Sequence, residues 1–280
     1  MANMVKVLPK WLKKELPSAE RAKLTKEVLQ NLNLKTVCQD AQCPNLGECF
    51  ARKRATFLIL GPHCTRNCAF CAVTKGIPVL PDLDEPKRIA QAVKVLGLKH
   101  VIITSVTRDD LPLGGAEVFV SVINSVRKTV PEVQVEILTS DFGGNQAAIT
   151  LISAAGPDIF GHNLETVRRL YSKVRPEANY NRSLELLARV KRSNPNIITK
   201  SGVMLGLGEK EAEIKEALND LRSVGCDIVT IGQYLQPAGG KLPVAEYIHP
   251  KQFEKYGELA LRLGFIKVRS GPFVRSSYLS

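Results

Sequence analysis

No stretch of the 280-residue sequence approaches the ~18 consecutive apolar residues of a membrane-spanning helix, so no span is expected. The opening, Met1-Ala2-Asn3-Met4-Val5-Lys6-Val7-Leu8-Pro9, lacks the long apolar core of a secretory signal. Acidic residues are scarce beside basic ones: 27 Asp and Glu face 39 Lys and Arg, a formal charge of +12. Such a balance calls for nucleic acid, an acidic membrane face or an acidic protein as partner. No zinc finger, helix-turn-helix or aromatic-interleaved basic motif is present. The basic residues are spread along the chain, with only short clusters such as Arg52-Lys53-Arg54. Neither nucleic acid nor membrane is therefore expected, which leaves an acidic protein. Hydrophobic content of 44% with 24% charged residues is that of an ordinary globular domain. The expected location is the cytoplasm, or an organelle matrix or stroma if a transit peptide has been removed.

The seven cysteines fall into two triplets and the singleton Cys226. That grouping favours metal binding in a reducing compartment over a disulfide framework. Cys64, Cys68 and Cys71 are spaced Cys-x3-Cys-x2-Cys in a loop after the apolar run Thr56–Leu60. Thiolates are soft ligands for iron–sulfur clusters or zinc, and a short loop can aim three at one centre. Three thiolates leave one iron of a cubane open, where a cofactor can bind. The alternative is a structural zinc knuckle with its fourth ligand elsewhere, although such modules usually pair their ligands as Cys-x2-Cys. Upstream, Cys38, Cys43 and Cys49 are spaced Cys-x4-Cys-x5-Cys, with Pro44, Asn45 and Gly47 marking a loop. Alone, that triplet is also compatible with zinc. Cys226 precedes an apolar run and is expected as a buried hydrophobe.

Residues 1–35 are basic and helix-prone, with a helix entry at Pro17-Ser18-Ala19-Glu20 and Leu24, Val28, Leu29 and Leu32 at helical spacing. From Ala55 on, apolar runs at 56–60, 101–104, 133–138, 158–160, 197–205 and 227–231 alternate with helical patterns. Ile89, Ala92, Val93 and Leu96 share one helical face; so do Phe119, Val122, Ile123 and Val126, then Ile214, Ala217, Leu218 and Leu221, then Phe253, Tyr256, Ala260 and Leu263. Six βα repeats imply a parallel sheet but fall short of a closed eight-fold barrel. The expected fold is α/β, a partial (β/α)6 TIM-type barrel over 55–264. A helical and cysteine-loop extension occupies 1–54, and a tail 265–280. The loops after the strands are polar and glycine-rich and should ring one cavity at the strands' C-terminal ends. Asp109, Asp110 and Asp141 read as helix caps, and His162 as a hydrogen-bonded rim residue rather than a ligand.

The first triplet, with Phe70 between its last two cysteines, resembles the signature of the radical S-adenosylmethionine (SAM) enzymes. The resemblance implies that Cys64, Cys68 and Cys71 hold a [4Fe–4S] cluster whose fourth iron binds SAM, which is split to a 5′-deoxyadenosyl radical. With both triplets in this order ahead of a βα barrel, the chain from Val37 to Tyr278 is similar to the lipoyl synthase family. Val106-Thr107-Arg108-Asp109-Asp110-Leu111, Ser140-Asp141-Phe142, His162-Asn163-Leu164-Glu165-Thr166-Val167, Thr230-Ile231-Gly232-Gln233-Tyr234-Leu235 and the closing Arg275-Ser276-Ser277-Tyr278 carry the similarity. Gly161 and Arg168 depart from a usual Asn and Pro, and Gly143 from a usual basic residue.

That likeness implies an auxiliary [4Fe–4S] cluster on Cys38, Cys43 and Cys49, with a terminal serine as fourth ligand. Ser277 is preferred, although adjacent serines cannot be separated from sequence. It implies catalytic roles for Cys64, Cys68, Cys71 and Ser277, and SAM contacts from Asn163, Glu165 and Arg175. The reaction implied is insertion of two sulfur atoms into the octanoyl chain of an octanoyl-lysyl carrier domain, with sulfur drawn from the auxiliary cluster. Implied partners are octanoylated lipoyl-carrier domains, of 2-oxoacid dehydrogenase subunits and the glycine cleavage carrier protein, and an electron donor such as ferredoxin or flavodoxin. Two alternatives compete. Biotin synthase-like or methylthio-transferring enzymes place their second set of ligands differently, and a basic two-zinc RNA-binding module leaves the six βα units unexplained.

Overall fold

The six apolar runs and a seventh, polar stretch form parallel strands, hydrogen-bonded in sequence order: β1 (Thr56–Ile59), β2 (His100–Ser105), β3 (Gln134–Leu138), β4 (Ile159–Gly161), β5 (Ile198–Leu205), β6 (Ile228–Gln233) and β7 (Lys267–Gly271). The computed structural model describes residues 8–14, 19–237 and 240–278. Pro17 and Ser18 of the expected helix entry lie outside that set. Helices α1 (Lys23–Asn31), α2 (Val37–Asp40) and α3 (Leu46–Ala51) precede the sheet. Helices α4 (Glu85–Leu96), α5 (Ala116–Thr129), α6 (Gln146–Ala155), α7 (Tyr171–Val174), α8 (Tyr180–Ser193), α9 (Glu211–Ser223) and α10 (Pro250–Arg262) connect the strands. The result is a partial parallel barrel as expected, but with seven strands rather than six, and β1 and β7 are not paired with each other.

The helical faces read from the sequence are the buried ones: Ile89, Ala92, Val93 and Leu96 on α4, Phe119, Val122, Ile123 and Val126 on α5. Burying an Ile, Val, Leu or Phe side chain contributes roughly 1.5–3 kcal/mol, so these stripes hold the helices on the sheet. Two readings change. Leu24 is exposed, and Thr25 takes its inward place, donating its hydroxyl to the Phe50 carbonyl at 2.8 Å. The 265–280 stretch is more than a tail, because β7 pairs along β6 from Lys267 to Gly271. Its residues Lys267-Val268-Arg269-Ser270-Gly271 contain no apolar run.

The extension covers the β1 edge. Thr36 bridges Phe57 in antiparallel sense, and the Leu58 N–H donates to the Lys35 carbonyl at 2.9 Å. An edge strand's unpaired groups are thereby partly satisfied. Among the described residues, no helix is long and apolar enough to cross a membrane.

Candidate active site

β1 ends in a turn that carries the Cys64–Cys71 loop over the barrel mouth. Leu60 (φ 71°) and Gly61 (φ 89°) are both left-handed, a conformation that disfavours most side chains. The loop is pinned by backbone bonds: Cys64 N–H to the Thr74 carbonyl (2.9 Å), Thr65 N–H to Thr107 (3.0 Å) and Ala69 N–H to Val174 (2.9 Å). The Thr107 N–H donates to the Cys64 sulfur at 3.3 Å, a type of contact that tunes iron–sulfur potentials. Arg66, 6% exposed, forks to Asp109 at 2.6 and 2.8 Å and reaches Asp141 at 2.6 Å. Arg182 adds a second cation to Asp141 at 2.6 Å. Burial pushes the Asp141 carboxyl up, but the hydrogen bond and charge of Arg66 outweigh it and hold it at about 2.

The three aspartates read as caps are chiefly counter-ions. Asp109 and Asp141 serve Arg66, and Asp110 serves the buried Arg108, whose guanidinium also donates to the Leu60 carbonyl at 3.1 Å. Only Asp141 also caps a turn, accepting from the Gly143 N–H at 3.2 Å. Gly143 sits at φ 61°, which suits glycine in place of the usual basic residue. Reading from sequence alone missed Arg66. A basic residue inside the cysteine motif was the available signal, but its acidic partners lie on other loops.

Asn163, Glu165 and Arg175 come together at the end of β4. Asn163 Nδ2 donates to Glu165 Oε1 at 2.9 Å and to Ser276 Oγ at 2.6 Å. Arg175 Nη1 donates to the carbonyls of Asn163 and Leu164 at 2.8 and 3.1 Å. Glu165 is left-handed at φ 67°, held by its N–H to the Gly202 carbonyl and its own carbonyl to the Met204 N–H. Burial raises its carboxyl, against the opposing pull of Arg175 and Asn163. Gly202 is required by crowding: a Cβ there would lie 2.7 Å from Thr230 Oγ1 and 3.0 Å from both Asn163 Oδ1 and Ser276 Oγ. His162 is buried off to the side, with Nδ1 2.9 Å from the Thr139 carbonyl and Nε2 2.9 Å from Ser183 Oγ. Burial lowers its pKa to about 4, so it is neutral near pH 7.

The upstream triplet lies on α2, its following turn and α3, and the chain's C-terminal motif closes over it. Asn45 Nδ2 donates to the Phe273 carbonyl at 2.7 Å, the Tyr278 hydroxyl to Glu48 at 3.2 Å, and Lys14 pairs with Glu48. Lys14 also lies over the rings of Phe273 and Tyr278, each 5.1 Å away. Its hydrogen bond from Lys14 holds the Glu48 carboxyl below its usual range.

One cavity of about 500 Å³ is lined by Cys64, Cys68, Cys71, Asn163, Glu165 and Arg175, and also by Cys38, Cys43, Ser276 and Ser277. Another, of about 430 Å³, is lined by Cys38, Cys43, Cys49 and Ser277. Five of the six expected loops reach the first cavity. The Gly206–Glu209 loop does not; Glu209 turns back to accept from the N–H groups of Gly206 and Leu207, and β5 contributes Gly202, Val203 and Met204 instead. All seven cysteines are free thiols, and Cys226 is buried as expected. Burial, with Cys38 and Cys43 nearby, pushes the Cys49 thiol up to about 12; burial, with Cys68 and Cys64 nearby, takes Cys71 to about 11. Cationic centres would therefore have to displace protons from crowded thiols. Among the described residues, no three His, Cys, Asp or Glu side chains could hold a single metal ion; a cubane takes each thiolate on a separate iron. Asn163 Oδ1 and Arg175 Nε are buried with no hydrogen-bond partner among the described residues, as expected where a polar ligand completes the site.

Residues 58–221 match the radical SAM superfamily, and residues 2–43 match the N-terminal domain of lipoyl synthase of that family. The lipoyl synthase of Caldanaerobacter subterraneus subsp. tengcongensis is 54% identical over 96% of this chain and 94% of its own. That of Caldicellulosiruptor saccharolyticus is 54% identical over 97% and 95%. The chain belongs to the lipoyl synthase family. It is a radical SAM enzyme that inserts sulfur. Among solved structures, methylornithine synthase shares the fold at TM-score 0.55, with 17% identity over 94% of this chain and 83% of that one. A maturase of the [FeFe]-hydrogenase does so at 0.58, with 14% identity over 90% and 68%. Superfamily membership implies one [4Fe–4S] cluster with SAM, and lipoyl synthase membership a lipoyl-carrier substrate.

Proposed function

We propose that the two triplets hold two [4Fe–4S] clusters facing one cavity, and that the chain makes lipoyl groups on octanoylated carrier domains. Cys64, Cys68 and Cys71 hold the radical-generating cluster; Cys38, Cys43, Cys49 and Ser277 hold the sulfur donor. Residues 1–54 then carry the donor site, 55–264 the radical site, and 265–280 the segment that closes them together. The observation that carries this reading is the shared wall: Cys38 and Cys43 line the same cavity as Cys64, Cys68 and Cys71. When bound, the two clusters and SAM supply a 5′-deoxyadenosyl radical and sulfide for two carbons of the octanoyl chain.

The chain's own residues bind, orient and exclude. Asn163 Oδ1 and Arg175 Nε offer an acceptor and a donor to SAM, with Glu165 beside them. Leu58, Phe70, Val73, Leu138, Val203 and Met204 give the cavity an apolar lining that suits an octanoyl chain and keeps water from a radical. Ser277 is favoured as the oxygen ligand because it lines both cavities, including the one that holds Cys49, which Ser276 does not. An oxygen is a harder partner for iron than a thiolate, which suits a cluster that must come apart. The net charge of +12 supports docking of acidic carrier domains, such as those of 2-oxoacid dehydrogenases and the glycine cleavage carrier protein. Ferredoxin or flavodoxin would supply electrons, in a reducing compartment such as the cytoplasm.

The test is product analysis by mass, with an octanoyl-lysyl peptide, SAM and a strong reductant. A peptide carrying two added sulfurs is expected, from a protein reconstituted to about eight irons for two [4Fe–4S] sites. A ceiling near half that iron, with all six cysteines intact, would overturn the two-cluster reading.

A further inference from the structure

The two cavities that meet at Cys38 and Cys43 differ in charge. The larger one, shared with the radical loop, includes Glu165 along with Arg175 and Arg275. The smaller lies between the cysteine loop and the start of β2, and its lining contains no Asp or Glu. It is lined instead by Arg52, Lys53, Arg54 and Lys99, with Arg275 further in. The first four are exposed and form a rim, while Arg275 is half-buried. Arg52 is drawn to Glu48 at 3.2 Å, which leaves Lys53, Arg54 and Lys99 as the rim charges with no ion pair among the described residues. Cys49 lines this cavity and not the larger one; Cys64, Cys68 and Cys71 line the larger and not this one.

We propose that the basic cavity is a second entrance to the upstream cysteine site, and that it admits an anionic, thiolate-ligated [4Fe–4S] cluster to replace the one consumed. This rests on the two-cluster reading above. A donor that gives sulfide to its substrate is dismantled, and the larger cavity is the one that cofactor and substrate fill. Entry from the rim avoids that space. The exchange balances without electron transfer: four external thiolates leave the cluster, bonds form from iron to Cys38, Cys43, Cys49 and Ser277, and the four displaced protons leave on the external thiols. A rim of one sign raises the local concentration of an incoming anion.

The test uses the full chain, metal-free, reduced and anaerobic, alkylated with iodoacetate or with neutral iodoacetamide. Modification at Cys49 and Cys64 is read by peptide mass spectrometry. The ratio of the two rates cancels changes in thiol ionisation, since both reagents attack the thiolate. Replacing Lys53, Arg54 and Lys99 together by Gln should lower the iodoacetate-to-iodoacetamide ratio at Cys49 about threefold, and by Glu about tenfold, at low salt. The ratio at Cys64 should not move. An unchanged ratio at Cys49, or an equal fall at Cys64, overturns the second entrance. In a Cys64→Ala, Cys68→Ala, Cys71→Ala background, the same charge changes should slow loading from a mercaptoethanol-ligated [4Fe–4S] cluster several-fold, followed by iron content. Loading at a rate indifferent to these charges sinks the entrance alone. A background that takes up no cluster at all sinks the two-cluster reading, and this proposal with it.

Discussion

The loop of Cys64, Cys68 and Cys71 is braced by its own barrel, whereas the loop of Cys38, Cys43 and Cys49 is clasped by residues from near the two ends of the chain. In the first, Arg66 is buried between Asp109 and Asp141, and backbone bonds run to the loop after β2 and to the end of α7. In the second, Lys14 and Tyr278 meet on Glu48, and Asn45 holds Phe273. The first set is multiply charged, and its Arg66–Asp141 pair is buried, although Asp109 at its edge is half-exposed. The clasp is partly exposed, at 27% for the Lys14 side chain and 18% for Glu48, so its ion pair is weak. If the two triplets hold clusters as proposed, a rigid seat suits the one that is reused, and a separable one suits the one that is spent.

Breaking either triplet should separate them most sharply. Cys68→Ala should abolish both 5′-deoxyadenosine and lipoyl product. Cys43→Ala should lose the product while still cleaving some SAM, as both readouts by mass will show. Lipoyl product from Cys43→Ala would mean that sulfur comes from elsewhere. Next in size is the brace. Asp141→Asn leaves Arg66 short of a buried partner, and should cost about 3 kcal/mol in denaturant unfolding. It should also speed iron loss from the radical site more than from the upstream one.

Acid should weaken the barrel side in two windows. His162 is lowered from 6.5 to about 4 by burial, so the unfolded chain binds the extra proton first. Its contribution is complete above pH 6.5 and is lost as pH falls toward 4. Asp141 is lowered from 3.8 to about 2, so its share, about 2 kcal/mol, is lost between those values. His162→Gln should flatten the upper window in pH-dependent unfolding, and Asp141→Asn the lower. The smallest effect belongs to the clasp. Glu48→Gln should cost about 1 kcal/mol and should loosen iron at the upstream triplet, leaving the radical site's iron unchanged.

Much of this was legible along the chain because it is local. Cysteine spacing within a single loop states a donor set, and helical or alternating apolar patterns state which faces pack; the α4 and α5 stripes are buried as read. What the sequence by itself determined was therefore the donor chemistry and a partial parallel barrel. Tertiary structure decided which charges meet: Arg66 with Asp141, Lys14 with Glu48, and Asn163 with Ser276. It made a strand of the polar run 267–271, which has no apolar signature and is ordered by pairing with β6. It turned Glu209 back on its own loop and brought Cys38 and Cys43 to the same cavity as the radical loop. Such contacts join residues far apart in the chain, and their partners are chosen by the packing of the strands and loops between them rather than by any pattern at either end.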